Sequence, residues 1–339
     1  MTVVLIPAFE PDQQLIKLID GLAEKNFSAL VVNDGSGREF DKIFDIVSQK
    51  ATVIKLEKNK GKGGALKAGM RYIVENIPDC THFITCDADG QHRVEDVVRV
   101  DAQLKKGEKF VLTVRERKTK IPLRSKIGNN LSRFVYALLA NRYLSDNQSG
   151  LRGFSTDYIN WMVNVEKNKY DYEMNVLYYA AKMGLKISTL PIEAIYIGKN
   201  ESSHFNPILD TVRIYKSLFA LAGGTFIALL ASEIMVLIIS LTLGYQHIMI
   251  TLPGVAAVSY LINVLLNKYI FFKNITRYDY WSTLVFKVIS YFVYTLMCLL
   301  LYFTTQMPLF WAFNLAYFVC IPLRYVLHKF IFIASLTKE

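Results

Sequence analysis

Cysteine is scarce. The four present, Cys80, Cys86, Cys298 and Cys320, are scattered, and none forms a CxxC pair. A disulfide framework and a structural zinc site are therefore not expected. No secretory leader is expected either. Val3–Ala8 is apolar but too short, and no basic segment precedes it, so the N-terminal half is expected to stay in the cytosol. The formal charge of +10 has no helix-turn-helix, zinc-finger or RNP pattern beside it, and no nucleic-acid partner is expected. Two glycine motifs are also missing. In "NKGKGGALKAG" no Gly-Lys-Ser/Thr closes a loop, which excludes a P-loop. The spacing of Gly61, Gly63 and Gly64, after the third predicted strand, excludes a dinucleotide fingerprint. That stretch reads either as a tight strand-to-helix turn or as a cationic loop holding a phosphate near Lys60 and Lys62.

What is present divides into two chemistries. Residues 1–205 alternate charged and apolar segments, whereas long apolar runs dominate from Phe219 onward. In the first part the runs around "VVLIPAF", "SALVVNDGSG", "TVIKLEKN" and "HFITCDADG" read as strands. Pro11–Lys25, Phe40–Gln49 and the segment after "GKGG" carry helical spacing. Strands alternating with helices predict a mostly parallel α/β sheet covered on both faces, with ligands at the carboxyl ends of its strands. Three loops reach that edge: Pro7–Glu10, Asn33–Ser36 and Asp87–Gln91.

The third loop is the most informative. Asp87 and Asp89 would share a face on a strand, and a turn at Gly90 would bring Gln91 beside them. Oxygen donors in this number suit Mg²⁺ or Mn²⁺ completed by a substrate diphosphate; a solvated turn is the plainer alternative. A glycosidase pair does not fit, because acids two residues apart cannot flank a sugar from opposite faces. His92 either orients this loop or caps the next helix.

"IPAF", "VVNDGSG", "NKGKGGALKAG", "CDADGQH", "LSDNQSGLRGF", "YDYEM" and "SSHFNPILDTVRIY" occur in this order over about residues 1–217. Together they resemble the dolichyl- or undecaprenyl-phosphate sugar synthases, a branch of the family 2 glycosyltransferases with a Rossmann-like GT-A fold. The resemblance implies roles. Pro7, Ala8, Phe9, Glu10, Asp34 and Lys62 would line the nucleotide pocket, with Asp34 facing the base. Asp87, Ala88, Asp89 and Gln91 would form the metal and diphosphate motif, with Asp87, Asp89 and Arg115 catalytic. Asp146, Gln148 and Arg152 would lie on the acceptor side, and His204 would approach a donor or acceptor phosphate. Two positions depart from the family pattern: Asn33 replaces the first acid of an Asp-Asp pair, and Glu10-Pro11 replaces Asn-Glu. Both are expected in the nucleotide pocket. A polyprenyl phosphate acceptor is already an anion near neutral pH, so charge screening matters more than a general base. Arg115, Arg117, Arg124, Lys126 and Arg133 are the basic candidates on the acceptor side; each could equally be a solvated charge. Direct displacement would invert the sugar carbon.

"NPILDTVRIYKSLFALAG" places apolar Ile208, Val212, Tyr215 and Phe219 at helical spacing, with Asp210, Arg213 and Lys216 between them, which predicts an amphipathic interfacial helix over residues 206–218. Four apolar stretches follow, about 219–243, 248–272, 281–303 and 309–333, each near the roughly 20 residues that span hydrocarbon. "GYQH" and "TTQMP" carry no Lys or Arg, while Lys268, Lys273, Arg277, Lys329 and Lys338 fall on the other side. Both termini are therefore expected in the cytosol, in an integral protein of the cytoplasmic membrane. "LLNKYIFF" is echoed by "VLHKFIFI" 61 residues later, which suggests paired helices. Residues 219–339 resemble the GtrA-like four-helix membrane proteins. Glu233, Asn263, Asn267, Lys268, Lys287 and Arg324 are polar positions within or flanking these spans. Lys268, Lys287 and Arg324 are expected either to ring a lipid phosphate or to snorkel. Such a bundle also favours self-association.

The expectation is thus metal-dependent, inverting transfer of a sugar, from a UDP-sugar in preference to GDP-mannose, to polyprenyl phosphate at the cytosolic leaflet for cell-envelope glycan modification. A lipid-linked sugar flippase with an attached transferase is the alternative, and a noncatalytic scaffold a third class.

Overall fold

A computed structural model describes residues 1–116, 123–193, 209–243, 248–271, 280–307 and, near the end, 311–312, 314–316, 318–320, 322 and 325–326. The chain forms two compact units. One comprises Met1–Asn129, Ser145–Ala180 and Leu185–Ser217; the other comprises Asn130–Leu144, Ala181–Gly184 and Leu218–Glu339. The division is not one cut near residue 205. Asn130–Leu144 joins the second unit, where Phe134 and Tyr143 meet the Tyr325 ring at 5.2 and 5.8 Å between centroids.

The first unit runs β1 (Thr2–Ala8), α1 (Gln13–Glu24), β2 (Ser28–Asn33), α2 (Asp41–Val47), β3 (Thr52–Lys55), α3 (Lys62–Asn76), β4 (His82–Thr85), α4 (Val94–Lys105) and β5 (Phe110–Glu116). It continues with α5 (Leu123–Ala140), β6 (Arg152–Ser155), α6 (Ile159–Met162), α7 (Asp171–Lys182), β7 (Ser188–Glu193) and α8 (Leu209–Leu221); α5, α7 and α8 each run on into the second unit. The seven strands form one sheet in the order β3-β2-β1-β4-β6-β5-β7. β1 pairs in parallel with β2, with Leu5 opposite Leu30, and with β4, with Val3 opposite Phe83. Val3–Ile6 and Leu30–Val32 are almost wholly buried, as strands covered on both faces must be. α1 starts where the Asp12 carboxylate accepts the Gln14 N–H at 2.8 Å, and it buries Leu15, Leu18, Ile19 and Leu22.

The antiparallel strand is β6, between β4 and β5. Its Phe154 ring lies 5.1 Å from Phe83 and 4.5 Å from Phe110, so aromatic packing fastens it at mid-sheet. Because β6 runs opposite to β4, the loop leading into it lies at the carboxyl end of β4. β4 itself stops at Thr85, so Asp87 and Asp89 are not strand residues; they belong to the loop beyond it.

In the second unit α9 (Gly223–Leu243) and α10 (Ile248–Leu266) form a helix pair, and a π-helical turn, Asn267–Phe271, continues α10. α11 (Tyr280–Thr305) follows. Val236, Val255, Cys298, Ala312 and Ala316 are buried together, while Leu230, Leu241, Phe292 and Phe303 point outward. Asn263 and Asn267 are buried and linked: Asn267 Nδ2 donates to Asn263 Oδ1, and Asn263 Nδ2 to Thr225 Oγ1, both at 3.0 Å. Glu233 is half-buried on α9, and Lys268 is exposed over the Tyr269 ring. Arg324 and the Lys287 side chain lie outside the described residues. Among the described residues no single helix is long and apolar enough to cross a membrane. Leu209–Leu221 and Gly223–Ile239 reach that length together, with a 53° bend between them.

Candidate active site

The carboxyl ends of β1, β2 and β4 open onto a cavity of about 400 Å³. β1 contributes Pro7, Ala8 and Phe9, β2 contributes Asp34, and the loop into α3 contributes Asn59, Gly61 and Lys62. Asp87, Ala88 and Asp89 follow from β4. Lys169 and Tyr170, then Leu209, Asp210 and Arg213 of α8, complete the wall.

Local hydrogen bonds set these loops. The Asp34 N–H donates to Ala8 O at 2.8 Å, tying the first two loops together. Asp34 Oδ1 in turn accepts the Lys60 N–H at 2.7 Å. Burial pushes the Asp34 carboxyl up, and the backbone donors of Lys60 and Gly61 partly offset this. Asn33 and Glu10 do not line the cavity. Asn33 Oδ1 accepts the Ser36 N–H at 2.9 Å, and Ser36 Oγ accepts the Glu10 N–H at 2.9 Å. The two departures from the family pattern thus shape the loops from behind. Gly61 has φ 82°, a conformation that favours glycine, and it caps α3 at the point where Lys62 must turn inward.

Lys62 is the electrostatic centre. Its ammonium lies 2.7 Å from Asp87 Oδ1 and 2.6 Å from Glu173 Oε2, and 5.8 Å from the Tyr170 ring centroid. Burial alone would lower the Lys62 pKa, but Asp87 and Glu173 raise it, and the balance keeps the ammonium charged. Burial likewise pushes the Asp87 carboxyl up, yet Lys62 and His92 outweigh it and hold the group well below the usual carboxylate range. His92 Nε2 lies 3.6 Å from Asp87 Oδ2. α4 begins after Arg93 without a side-chain cap, so His92 orients the acid and caps nothing. Asp89 behaves differently: burial and then the Asp87 charge push its carboxyl up, and the Gln91 N–H, 3.1 Å from Oδ1, opposes them. It is through this backbone N–H that Gln91 meets the motif.

Several positions named from the sequence lie elsewhere. Arg115 grips Asp146 through Nε at 2.7 Å and a second guanidinium nitrogen at 3.1 Å. Burial pushes the Asp146 carboxyl up, but Arg115 more than reverses this and holds it below its ordinary value. Gln148 adds its N–H to Asp146 Oδ1. Arg152 is buried and donates to the carbonyls of Ser149 and Glu173, both at 2.8 Å, bracing the backbone that presents Glu173. Arg133 donates to Asn130 within the second unit. None of these arginines lines the cavity. Arg117, His204 and the Arg124 and Lys126 side chains lie outside the described residues.

Sequence reasoning missed Glu173, Gly150 and the α8 residues. Glu173 is the acid of "YDYEM", a motif noticed but given no role. Gly150 precedes β6, and its carbonyl accepts the Thr85 hydroxyl at 2.9 Å. A Cβ at this position would overlap the Asp87 carboxylate. Gly150→Ala is therefore expected to displace Asp87 and cut turnover by about a hundredfold, since small misplacements of reacting groups cost that much. A steady-state rate equal to wild type would show that the close approach is unimportant.

Residues 3–161 match the model for Glycosyl transferase family 2. Over 221 residues the chain is 30% identical to an uncharacterized protein of Methanocaldococcus jannaschii, covering 63% of this chain and 89% of that protein. The chain belongs to glycosyl transferase family 2. This glycosyltransferase is also similar to the UDP-N-acetylglucosamine–dolichyl-phosphate N-acetylglucosaminyltransferase of Methanococcus voltae, 28% identical over 242 residues, covering 65% of this chain and 96% of that one. Among solved structures, glucosyl-3-phosphoglycerate synthase from Mycobacterium tuberculosis, crystallised with Mn²⁺, UDP and its product, aligns at 18% identity with a TM-score of 0.49, over 66% of this chain and 80% of that one. The catalytic domain is of the GT-A type, an α/β domain with a mostly parallel sheet.

Proposed function

We propose that this glycosyltransferase moves a sugar from a nucleotide-sugar, a UDP-sugar in preference to GDP-mannose, to the phosphate of a polyprenyl lipid, inverting the sugar carbon. The observation that carries the reading is the cavity, in which Asp34, the β1 loop and the Lys62–Asp87–Asp89 group lie together at the strand ends. A nucleotide-sugar needs a wall for its nucleoside and a charge-compensated place for its diphosphate at one such edge. The acceptor is supported by the Methanococcus voltae relative, whose name gives dolichyl phosphate as acceptor and UDP-N-acetylglucosamine as donor.

Asp87 and Asp89 fit a divalent cation, Mg²⁺ or Mn²⁺. Their carboxylates are the hard oxygen donors such ions take, and the electrostatic cost that pushes the Asp89 carboxyl up is one that a dication removes. Among the described residues no third His, Cys, Asp or Glu joins them as a metal cluster, which leaves the other positions to phosphate oxygens and water. A bound ion would offset charge on the departing diphosphate. The protein's own share is to keep Asp87 ionised and aimed, through Lys62 and His92, and to hold Asp34 and the β1 loop against the nucleoside. An acceptor phosphate that is already anionic needs no strong base, so the work lies in bringing two anions together.

In this reading the second unit lies in the cytoplasmic membrane and anchors the enzyme, with the catalytic unit and both termini in the cytosol. Outward-facing apolar residues along α9 and α11 support that assignment. The test is to incubate membranes containing the protein with a panel of labelled sugar nucleotides and undecaprenyl phosphate. Label should enter the lipid fraction from a UDP-sugar, vanish with EDTA and return with Mn²⁺ or Mg²⁺. Transfer to water-soluble acceptors alone would overturn the acceptor, and full activity in EDTA the metal.

A further inference from the structure

The cavity wall includes three residues of "SSHFNPILDTVRIY" to which the reaction described above gives no part. Leu209, Asp210 and Arg213 all come from the first turns of α8. The first turns of α8 expose apolar side chains and bury a charged one, the reverse of a helix that packs on a soluble core. Asp210 and Ser217 are buried, and Ser217 exchanges hydrogen bonds with the Asn175 amide of α7 at 3.0 and 3.1 Å. Leu209 and Val212 are instead 62% and 60% exposed. Asp210 and Ser217 thus meet the protein while Leu209 and Val212 look out; further along, Leu218 and Leu221 are buried and Lys216 is exposed. Arg213 stands where these faces meet at the cavity, its guanidinium paired with the Asp210 carboxylate one turn earlier.

We propose that Arg213 binds the phosphate of the incoming acceptor, with Leu209 and Val212 alongside the first units of its hydrocarbon tail. This inference rests on the polyprenyl-phosphate reading above. A phosphate monoester offers a guanidinium more charge and more acceptor oxygens than a carboxylate does, so it can take Arg213 over from Asp210. Until then Asp210 holds the guanidinium at the wall. An exposed apolar turn beside a cation suits a phosphate that carries a greasy chain, whereas a free phosphate would have no use for Leu209 or Val212. Arg115 and Arg152 are committed to Asp146 and to backbone carbonyls, and Arg213 is the arginine that lines the cavity among the described residues.

The test compares wild type, Arg213→Gln and Arg213→Lys as full-length proteins. Farnesyl phosphate is titrated both by calorimetry without donor and as acceptor at saturating donor, and UDP binding and melting temperature are measured alongside. Arg213→Gln should weaken farnesyl phosphate binding, and raise its KM, by about tenfold to a hundredfold. UDP affinity should stay unchanged, the melting temperature should fall because buried Asp210 loses its partner, and Arg213→Lys should recover part of both losses. Inorganic phosphate should compete with farnesyl phosphate only at far higher concentration. Unchanged farnesyl phosphate binding in Arg213→Gln overturns the inference, as does a loss confined to UDP; equal competition by inorganic phosphate overturns the role of Leu209 and Val212. If wild type binds farnesyl phosphate but glycosylates no lipid from any donor, the proposed function fails, while the binding comparison still decides Arg213.

Discussion

Replacing Asp89 by Asn will cut sugar transfer by at least about a hundredfold to a thousandfold, the range seen when one preorganised electrostatic group is removed from a reacting centre, and the protein will remain folded. The substitution keeps the shape of the side chain and an oxygen for the Gln91 N–H, now 3.1 Å from Asp89 Oδ1. It removes one negative charge from the pair that fits a divalent cation. Stability should not suffer. Burial and the Asp87 charge push the Asp89 carboxyl up, so ionised Asp89 is a cost to the fold at neutral pH, and the neutral amide relieves it. The expected result is a melting temperature equal to or above wild type together with a collapse in initial rate at saturating donor. A variant with full turnover would remove Asp89 from the chemistry. One that fails to fold would mean that the acid has a structural partner not accounted for by its hydrogen bond to Gln91.

Lys62→Met should produce the largest loss of stability. The ammonium bridges Asp87 at 2.7 Å and Glu173 at 2.6 Å, with only 16% of the side chain exposed. Without it the two carboxylates lose the cation they share, and among the described residues only Arg152, 4.0 Å from Glu173, and His92, 3.6 Å from Asp87, stay beside them. Breaking such a buried arrangement costs about 3–5 kcal/mol, a fall of roughly 6–20 °C in melting temperature for a domain of this size. Part of the cost is recovered when one acid takes up a proton. Asp87 has a depressed pKa in the wild type, so the stability it contributes is present above the ordinary carboxylate value and is lost only as pH falls through its lower, folded value. In Lys62→Met that loss should begin at higher pH. Adding Glu173→Gln removes one of the stranded charges and should restore part of the stability, a coupling that a double-mutant cycle reads directly. Identical melting curves for wild type and Lys62→Met would show that the bridge contributes nothing.

Much of this site was readable before the fold was known, and each legible feature had a local cause. The apolar runs of β1 and β2, the turn at Gly61 and the acids of "CDADGQH" each announce themselves within a dozen residues, because strand burial, left-handed turns and paired carboxylates leave marks on neighbouring positions. The strand order then brings their loops together. The arginines were harder to assign. Arg115, Arg133 and Arg152 are basic residues near suggestive motifs, but whether a guanidinium faces a ligand or a structural partner depends on what lies across from it. For Arg115 that is Asp146, and for Arg152 two carbonyls.

By itself, then, the amino-acid sequence determined a two-part chain: an alternating α/β half with carboxylates at its strand ends, and an apolar helical remainder. Hydrophobic periodicity and turn chemistry act over a few residues and need no partner to be recognised. Only the tertiary structure decided that Glu173 shares Lys62 with Asp87, that Gly150 leaves room for the Asp87 carboxylate, and that α8 turns Asp210 inward and leaves Leu209 exposed beside Arg213. These depend on β6 entering the sheet antiparallel and on α7 and α8 bringing their residues back to the first strands. Contacts between residues so distant in the chain are set by packing and charge compensation in three dimensions, and no local pattern encodes them.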